Sequence, residues 1–324
     1  MQNQTPDKET KKPKIVFFGT PDFAVESLKR ILNEGYHVEA VVTAPDKPAG
    51  RGKKIKESEV KQFAKAQGLR ILQPQNLKSP EFITTLKELA PDVGVIVAFR
   101  MLPEAVWSLP RYGTFNLHAS LLPDYRGAAP IHHAIINGEK ITGVTTFFID
   151  NKIDTGAIIG QIPVRIGDED NFGTLYEKLK NTGAGLVVDT LKNIEKGTVV
   201  TRPQDDSKAL HPAPKLNKEN TRIDWTQPAN KIYNFIRGLS PYPGAWAKVE
   251  LDGKIKRIII YKADFQIKKH EENPGKTLIS GKNLLIAVSD GYILPLELKL
   301  EGKKQMPVKS FINGLKNIKS IHFK

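Results

Sequence analysis

The chain has no cysteine among its 324 residues, which excludes disulfides, thiolate metal sites and thiol nucleophiles and leaves the compartment open. It lacks any uncharged apolar run near the ~18 residues that a membrane span needs; its longest apolar stretches are strand-length, so no membrane partner is expected. The start, MQNQTPDKETKKPK, has no apolar core of a signal peptide, so residues 1–13 are expected to be a disordered leader and the protein to be cytoplasmic. Familiar motifs are missing too. FFGTPDFA stands where a dinucleotide fingerprint would begin but offers one glycine where three are wanted. APDKPAGRGKKIK lacks the Lys-Ser/Thr ending of a P-loop, and Ser120 lacks the Gly-x-Ser-x-Gly setting of a hydrolase nucleophile. Acidic residues are in deficit, 35 against 49 Lys and Arg, for a net charge of +14. The deficit is uneven: 28 basic residues face 25 acidic ones over 1–210, but 21 face 10 over 211–324. A basic C-terminal third is the footprint of a polyanionic partner such as nucleic acid, and on charge alone a merely solubilising surface is an equally good account.

What is present is a long alternating pattern. KIVFFG is a β-rich run, followed by the helical PDFAVESLKRILNEG, with Pro21 at its start and Gly35 past its end. HVEAVVT and SEVKQFAKAQGL, RILQ and SPEFITTLKELA, then DVGVIVAF repeat the unit, which predicts an α/β fold with a doubly wound parallel sheet. PIHHAIINGE reads as a helix, ITGVTTFFID as a strand, DTGAIIGQIPVRI as a hairpin-like excursion, and FGTLYEKLKNTGAGLVVDTLKNIEKG as a long helix broken near its glycines. The run 201–216 is rich in proline and charge without periodicity and is expected to be a linker. Beyond it, over 217–324, short strands with turn signals such as LDGK and SDGY predict a small β-barrel of OB type. Two domains result, 14–200 and 217–324, in keeping with a chain too long for one core.

The chemistry gathers in FNLHASLLPDYRGAAPI, residues 115–131. Residues two apart on a strand share a face, so Asn116 and His118, with Ser120 just beyond, point the same way near the C-terminal end of a parallel strand, the edge where open α/β sheets bind ligands. A lone buried histidine is more often a satisfied core residue; three polar groups converging at that edge favour a site. A carboxylate to orient and charge the imidazole is offered by Asp150 and Asp154 after the next strand, and both also suit ordinary turn capping. The basic loop with Arg51, Lys53 and Lys54 can reach along phosphates or simply be solvated. His132 and His133, adjacent on a helix, cannot face one metal together.

These residues carry a resemblance. NLHASLLPDYRGAAPI with IDTG downstream resembles the folate-dependent formyltransferases, and FFGTPDFAVESL, TAPDKPAGRGKK, FGTLYEKL, RIDW and IRGLSPYPGAW extend it from about Lys14 to the C-terminus, toward the branch of the family that acts on initiator methionyl-tRNA. The resemblance implies a Rossmann-like formyl-transfer domain joined to an OB-like tRNA-binding barrel. It implies transfer of a formyl group from 10-formyltetrahydrofolate to the amino group of methionine on initiator tRNA, without a metal. Asn116, His118 and Asp154 align with the family's catalytic residues, Ser120, Leu121, Leu122 and Pro123 with its folate-associated segment, and the loop of Arg51, Lys53 and Lys54 with its tRNA-engaging loop. In this scheme Asn116 and protonated His118 donate to the oxyanion, while Asp154 keeps His118 charged and helps a water remove the amine proton. The chain departs from the family in VAFRMLP, which places Arg100 where glycine is usual. Rival readings are formylation of a sugar nucleotide or a glycinamide ribonucleotide, and an RNA-binding protein without catalysis. A monomer is expected, since nothing resembles an exposed apolar interface.

Overall fold

The computed structural model describes residues 12–49, 54–281, 283–315 and 320–324. Almost all of the expected leader, and Arg51 and Lys53, lie outside the described residues; Lys54 is described only as the start of a short strand. The chain forms two compact units: residues 1–126, 143–164 and 178–211, and residues 127–142, 165–177 and 212–324.

In chain order the elements are β1 (Ile15–Gly19), α1 (Asp22–Asn33), β2 (Val38–Val42), β3 (Lys47–Ala49), β4 (Lys54–Lys56), α2 (Glu59–Ala66), β5 (Ile71–Leu72), α3 (Pro80–Leu89), β6 (Val93–Val97), α4 (Glu104–Trp107), β7 (Thr114–His118), α5 (Pro130–Ile136), β8 (Ile141–Phe148), β9 (Ile158–Arg165) and α6 (Phe172–Lys196). There follow α7 (Ala229–Gly238), β10 (Ala245–Leu251), β11 (Lys254–Ile267), β12 (Thr277–Ser280), β13 (Asn283–Ala287), β14 (Gly291–Leu300), β15 (Met306–Pro307), α8 (Val308–Asn313) and β16 (Ile321–Phe323). Among the described residues no helix is long and apolar enough to cross a membrane.

The first unit is built on a sheet ordered β5-β2-β1-β6-β7-β8-β9. The strands from β5 to β7 are parallel, and β8 turns back antiparallel to β7. Alternation along the strands sorts side chains to two covered faces, the doubly wound arrangement. Val16, Phe18 and Ile96 pack with Phe82, Leu86 and Leu89 of α3 and Val106 of α4. On the other face, Gly19 abuts α1, where a Cβ would stand 2.6 Å from that of Ala24. Helix starts follow the expected chemistry: Ser58 Oγ accepts from Lys61 N at 3.1 Å and Ser79 Oγ from Phe82 N at 3.4 Å.

The long helix is not broken at its glycines. It runs unbroken through Gly183 and Gly185, and Gly183 serves close approach: a Cβ there would stand 2.8 Å from Leu117 Cδ2 on β7. Loss of helix propensity at glycine, about 1 kcal/mol, is outweighed by what the contact allows.

In the second unit α5 packs on α7, where a Cβ on Gly238 would stand 2.7 Å from Ile136 Cγ1. The remaining strands form an antiparallel sheet ordered β12-β13-β14-β11-β10-β16. A bridge between Lys276 and His322, with Phe323 N donating to Gly275 O at 2.9 Å, brings β16 beside the start of β12 and closes the ring. Gly275 is required there, with φ +84° and a Cβ position only 2.1 Å from Phe323 O. The LDGK signal is a true hairpin turn, with Asp252 and Gly253 both at positive φ between β10 and β11. The barrel core is apolar, formed by Ile258, Ile260, Leu284, Ile286, Ile293 and Leu298.

Candidate active site

β7 lies in register with β6 so that Asn116 pairs with Ile96 and Leu117 with Val97. Leu117 faces α6, so Asn116 and His118 face the opposite side of the sheet, where Ile96 packs with α3 and α4. Thr145 of β8 stands across from His118. The Asn116 carboxamide is half-buried and makes no hydrogen bond among the described residues. A half-buried amide without an internal partner loses hydrogen-bond energy unless something arrives to meet it.

His118 is buried. Its Nε2 lies 2.8 Å from the carbonyl oxygen of Tyr125, which can only accept, so Nε2 carries the proton in that bond. Nδ1 is thereby the nitrogen turned toward Asp154, whose Oδ2 is 3.8 Å away. Of the two carboxylates that the sequence offered, Asp154 is the one that faces the ring. Asp150 caps its own loop instead, accepting from Lys152 N at 2.9 Å and Thr155 Oγ1 at 2.8 Å.

The segment after β7 folds back under this pair. Ser120 is fully buried and its hydroxyl donates to Asp124 O at 2.7 Å. Leu122 is buried, while Leu121 and Pro123 are half-buried. Thr145 Oγ1 donates to Ser120 O at 2.7 Å, and Gln161 Nε2 donates to Leu122 O at 2.8 Å, so β8 and β9 lace the segment down. Ser120 thus shapes the loop, and its hydroxyl is committed inside it. Beside this segment, at the end of β6, Ala98 takes a left-handed φ of +49°. Arg100 turns to another loop, donating to Pro74 O and, at 3.0 Å, to Gln75 O.

Several participants carried no signal in the sequence. Tyr125, which fixes the imidazole tautomer through its carbonyl, does so by backbone. Thr145 and Gln161 sit in ordinary strand positions. Residues from the run read as a linker are bound to the first unit: Arg202 pairs with Ile158 in a backbone bridge, Gln204 Nε2 donates to Asp154 O at 2.8 Å, and His211 Nδ1 lies 3.0 Å from Asp124 Oδ2. Short polar contacts of this kind have no periodicity to read.

Two family models match the chain: formyl transferase over residues 13–191, and formyl transferase, C-terminal domain, over 215–316. A methionyl-tRNA formyltransferase of Flavobacterium johnsoniae is 51% identical over 304 residues, covering 94% of this chain and 96% of its own. Among solved structures, the N-formyltransferase from Helicobacter canadensis in complex with folinic acid and dTDP-3-aminofucose aligns with a TM-score of 0.65 at 22% identity, over 87% of this chain and 98% of its own. HypX from Aquifex aeolicus in complex with tetrahydrofolic acid gives 0.62 at 20% identity over 95% of this chain, which spans about half (48%) of the HypX chain. At such identities the two structures establish a shared fold.

Proposed function

The chain belongs to the formyl transferase family, and from that premise we propose that it transfers a formyl group from 10-formyltetrahydrofolate to the amino group of methionyl initiator tRNA. The observation that carries the chemistry is the Asn116 carboxamide, unpartnered among the described residues, on the same strand face as His118, whose Nδ1 is turned to Asp154. That donor set fits a formyl oxygen. The half-buried Leu121 and Pro123, beside buried Leu122, fit the flat apolar body of the folate. When bound, the folate supplies the formyl carbon on a nitrogen that can leave.

As the amine attacks, negative charge gathers on the formyl oxygen. Asn116 Nδ2 donates to it, and so does His118 through Nδ1–H, because Nε2–H is held by Tyr125. At 3.8 Å Asp154 is too far to take the Nδ1 proton in a hydrogen bond, so that donor stays available to substrate. The same carboxylate accepts the amine proton through a water and returns it to the folate nitrogen, which leaves as a neutral amine while the oxyanion reforms the carbonyl.

In the same proposal residues 14–200 perform the transfer and 217–324 bind tRNA. The excess of 21 basic over 10 acidic residues beyond 210 supports the second role, and the loop of Arg51, Lys53 and Lys54 reaches the acceptor end. The protein acts as a cytoplasmic monomer, a state that sedimentation velocity checks. The deciding experiment is formylation of charged initiator and elongator tRNA with 10-formyltetrahydrofolate. Rapid product with initiator tRNA is expected; formylation of a dTDP-amino sugar instead, or of nothing, defeats the reading.

A further inference from the structure

The turn that carries Asp154 is held from outside by side chains that the proposed chemistry does not use. Asp154 has a left-handed φ of +55°, which a non-glycine residue adopts when its surroundings impose it. Its carbonyl oxygen accepts two hydrogen bonds, from Arg126 Nε at 3.0 Å and from Gln204 Nε2 at 2.8 Å. Gln204 Nε2 also donates to Gly156 O at 2.9 Å, so one carboxamide spans the turn. Gly156 itself is pressed against β8, where a Cβ would stand 1.7 Å from Phe148 O.

Arg126 sets the orientation of that carboxamide. Its Nη2 donates to Gln204 Oε1 at 2.7 Å and to Asp206 Oδ1 at 2.8 Å. With Oε1 taken by the guanidinium, the NH2 group is the end that faces the two carbonyls. Arg126 also follows Tyr125, whose carbonyl holds His118 Nε2. Two consecutive residues therefore anchor both halves of the pair: Tyr125 fixes the imidazole, Arg126 fixes the backbone of Asp154.

We propose that Arg126 and Gln204 are positioning residues for formyl transfer, which together set the separation of His118 and Asp154. The inference rests on the proposed role of Asp154. It makes Gln204 a working part of the transfer unit, in a run where composition suggested only a connector. Asp206 is no part of the clasp, since its side chain is 81% exposed and its ion pair with Arg126 is solvent-screened.

The test is a double-mutant cycle in the formylation assay on the full chain. Gln204→Leu keeps the side-chain size and removes both donors. It is expected to lower kcat about 10- to 100-fold, the scale of a small misplacement of a reacting group, with KM for folate and for tRNA within about twofold of wild type. Its pH profile of kcat should match that of Asp154→Asn. The double variant should be no slower than Asp154→Asn alone, because the two changes act on one group. Asp206→Asn should stay close to wild type. If Gln204→Leu does not fold, as read by circular dichroism, Gln204→Asn keeps the amide and shortens its reach, with the same expectations. Asp154→Asn at the wild-type rate overturns the role of Asp154 and this inference with it. A slow Asp154→Asn combined with a normal Gln204→Leu, or with losses that multiply, overturns the clasp alone.

Discussion

The two units differ in where they keep their polar groups. In the first, His118, Ser120 and Thr145 are buried on or beside the strands that form the site, and each is met by a backbone carbonyl, of Tyr125, Asp124 and Ser120 in turn. In the second, the barrel core is apolar, with Lys254, Lys256 and Lys299 exposed on its strands, and the buried Arg237 and Asp170 are not among the residues of that core. Buried polar groups are tolerated only where their hydrogen bonds are arranged in advance, which makes the first unit sensitive to single atoms. A charged surface acts by its sum, which makes the second tolerant of single changes. Chemistry and binding should separate accordingly.

The largest effect is expected from Asn116→Ala or His118→Ala. Loss of one oxyanion donor typically costs about 2.7–4 kcal/mol, or ~10²–10³ in rate, so kcat should fall that far while KM for tRNA holds. Formylation assays at saturating substrate decide it, and wild-type turnover would end the assignment.

A pH effect should come from the second unit's own histidines. Burial pushes His132 down to about 4, against the opposing pull of its bond to Tyr242 O, and lowers His133 as well. A depressed folded-state pKa means that the unfolded chain binds the proton more readily. Stability is therefore full above the ordinary histidine range near 6.5 and is lost as pH falls from there toward 4. Urea midpoints measured across that window should drop for wild type and drop less for His132→Phe, which keeps the stack on Phe172, 3.7 Å between ring centroids.

A smaller effect, confined to tRNA, should follow neutralisation of charge. Replacing Lys254, Lys256 and Lys299 by Gln should raise KM for tRNA about tenfold and flatten its salt dependence, leaving folate kinetics alone. The same holds for Arg51, Lys53 and Lys54. Equal effects on both substrates would erase the division of labour. The smallest change is Ser58→Ala at the start of α2, expected to lower stability by about 1 kcal/mol in thermal melts without altering kinetics.

Much of the fold was legible because it rests on period and punctuation. Alternating strands and helices announced the doubly wound sheet, and Asp252-Gly253 marked its hairpin. The helix through Gly183 was misread as broken, because propensity is local and the reason for glycine there is Leu117, on a distant strand. Asn116 and His118 stood out as polar groups in a strand pattern. Spacing did not separate Asp154 from Asp150, since both fit a turn; the resemblance singled out Asp154, and in the fold Asp154 is the one turned to the ring while Asp150 caps its own loop.

The order of residues along the chain by itself settled the strand and helix pattern, the strand face shared by Asn116 and His118, and the basic excess of the C-terminal third, because each depends on spacing or sum within one stretch. Tertiary structure alone decided how near Asp154 stands to His118 and that Gln204 reaches back to the turn of Asp154. Those outcomes depend on distances between residues far apart in the chain, and hydrogen bonds a few ångströms long leave no periodic trace in a sequence.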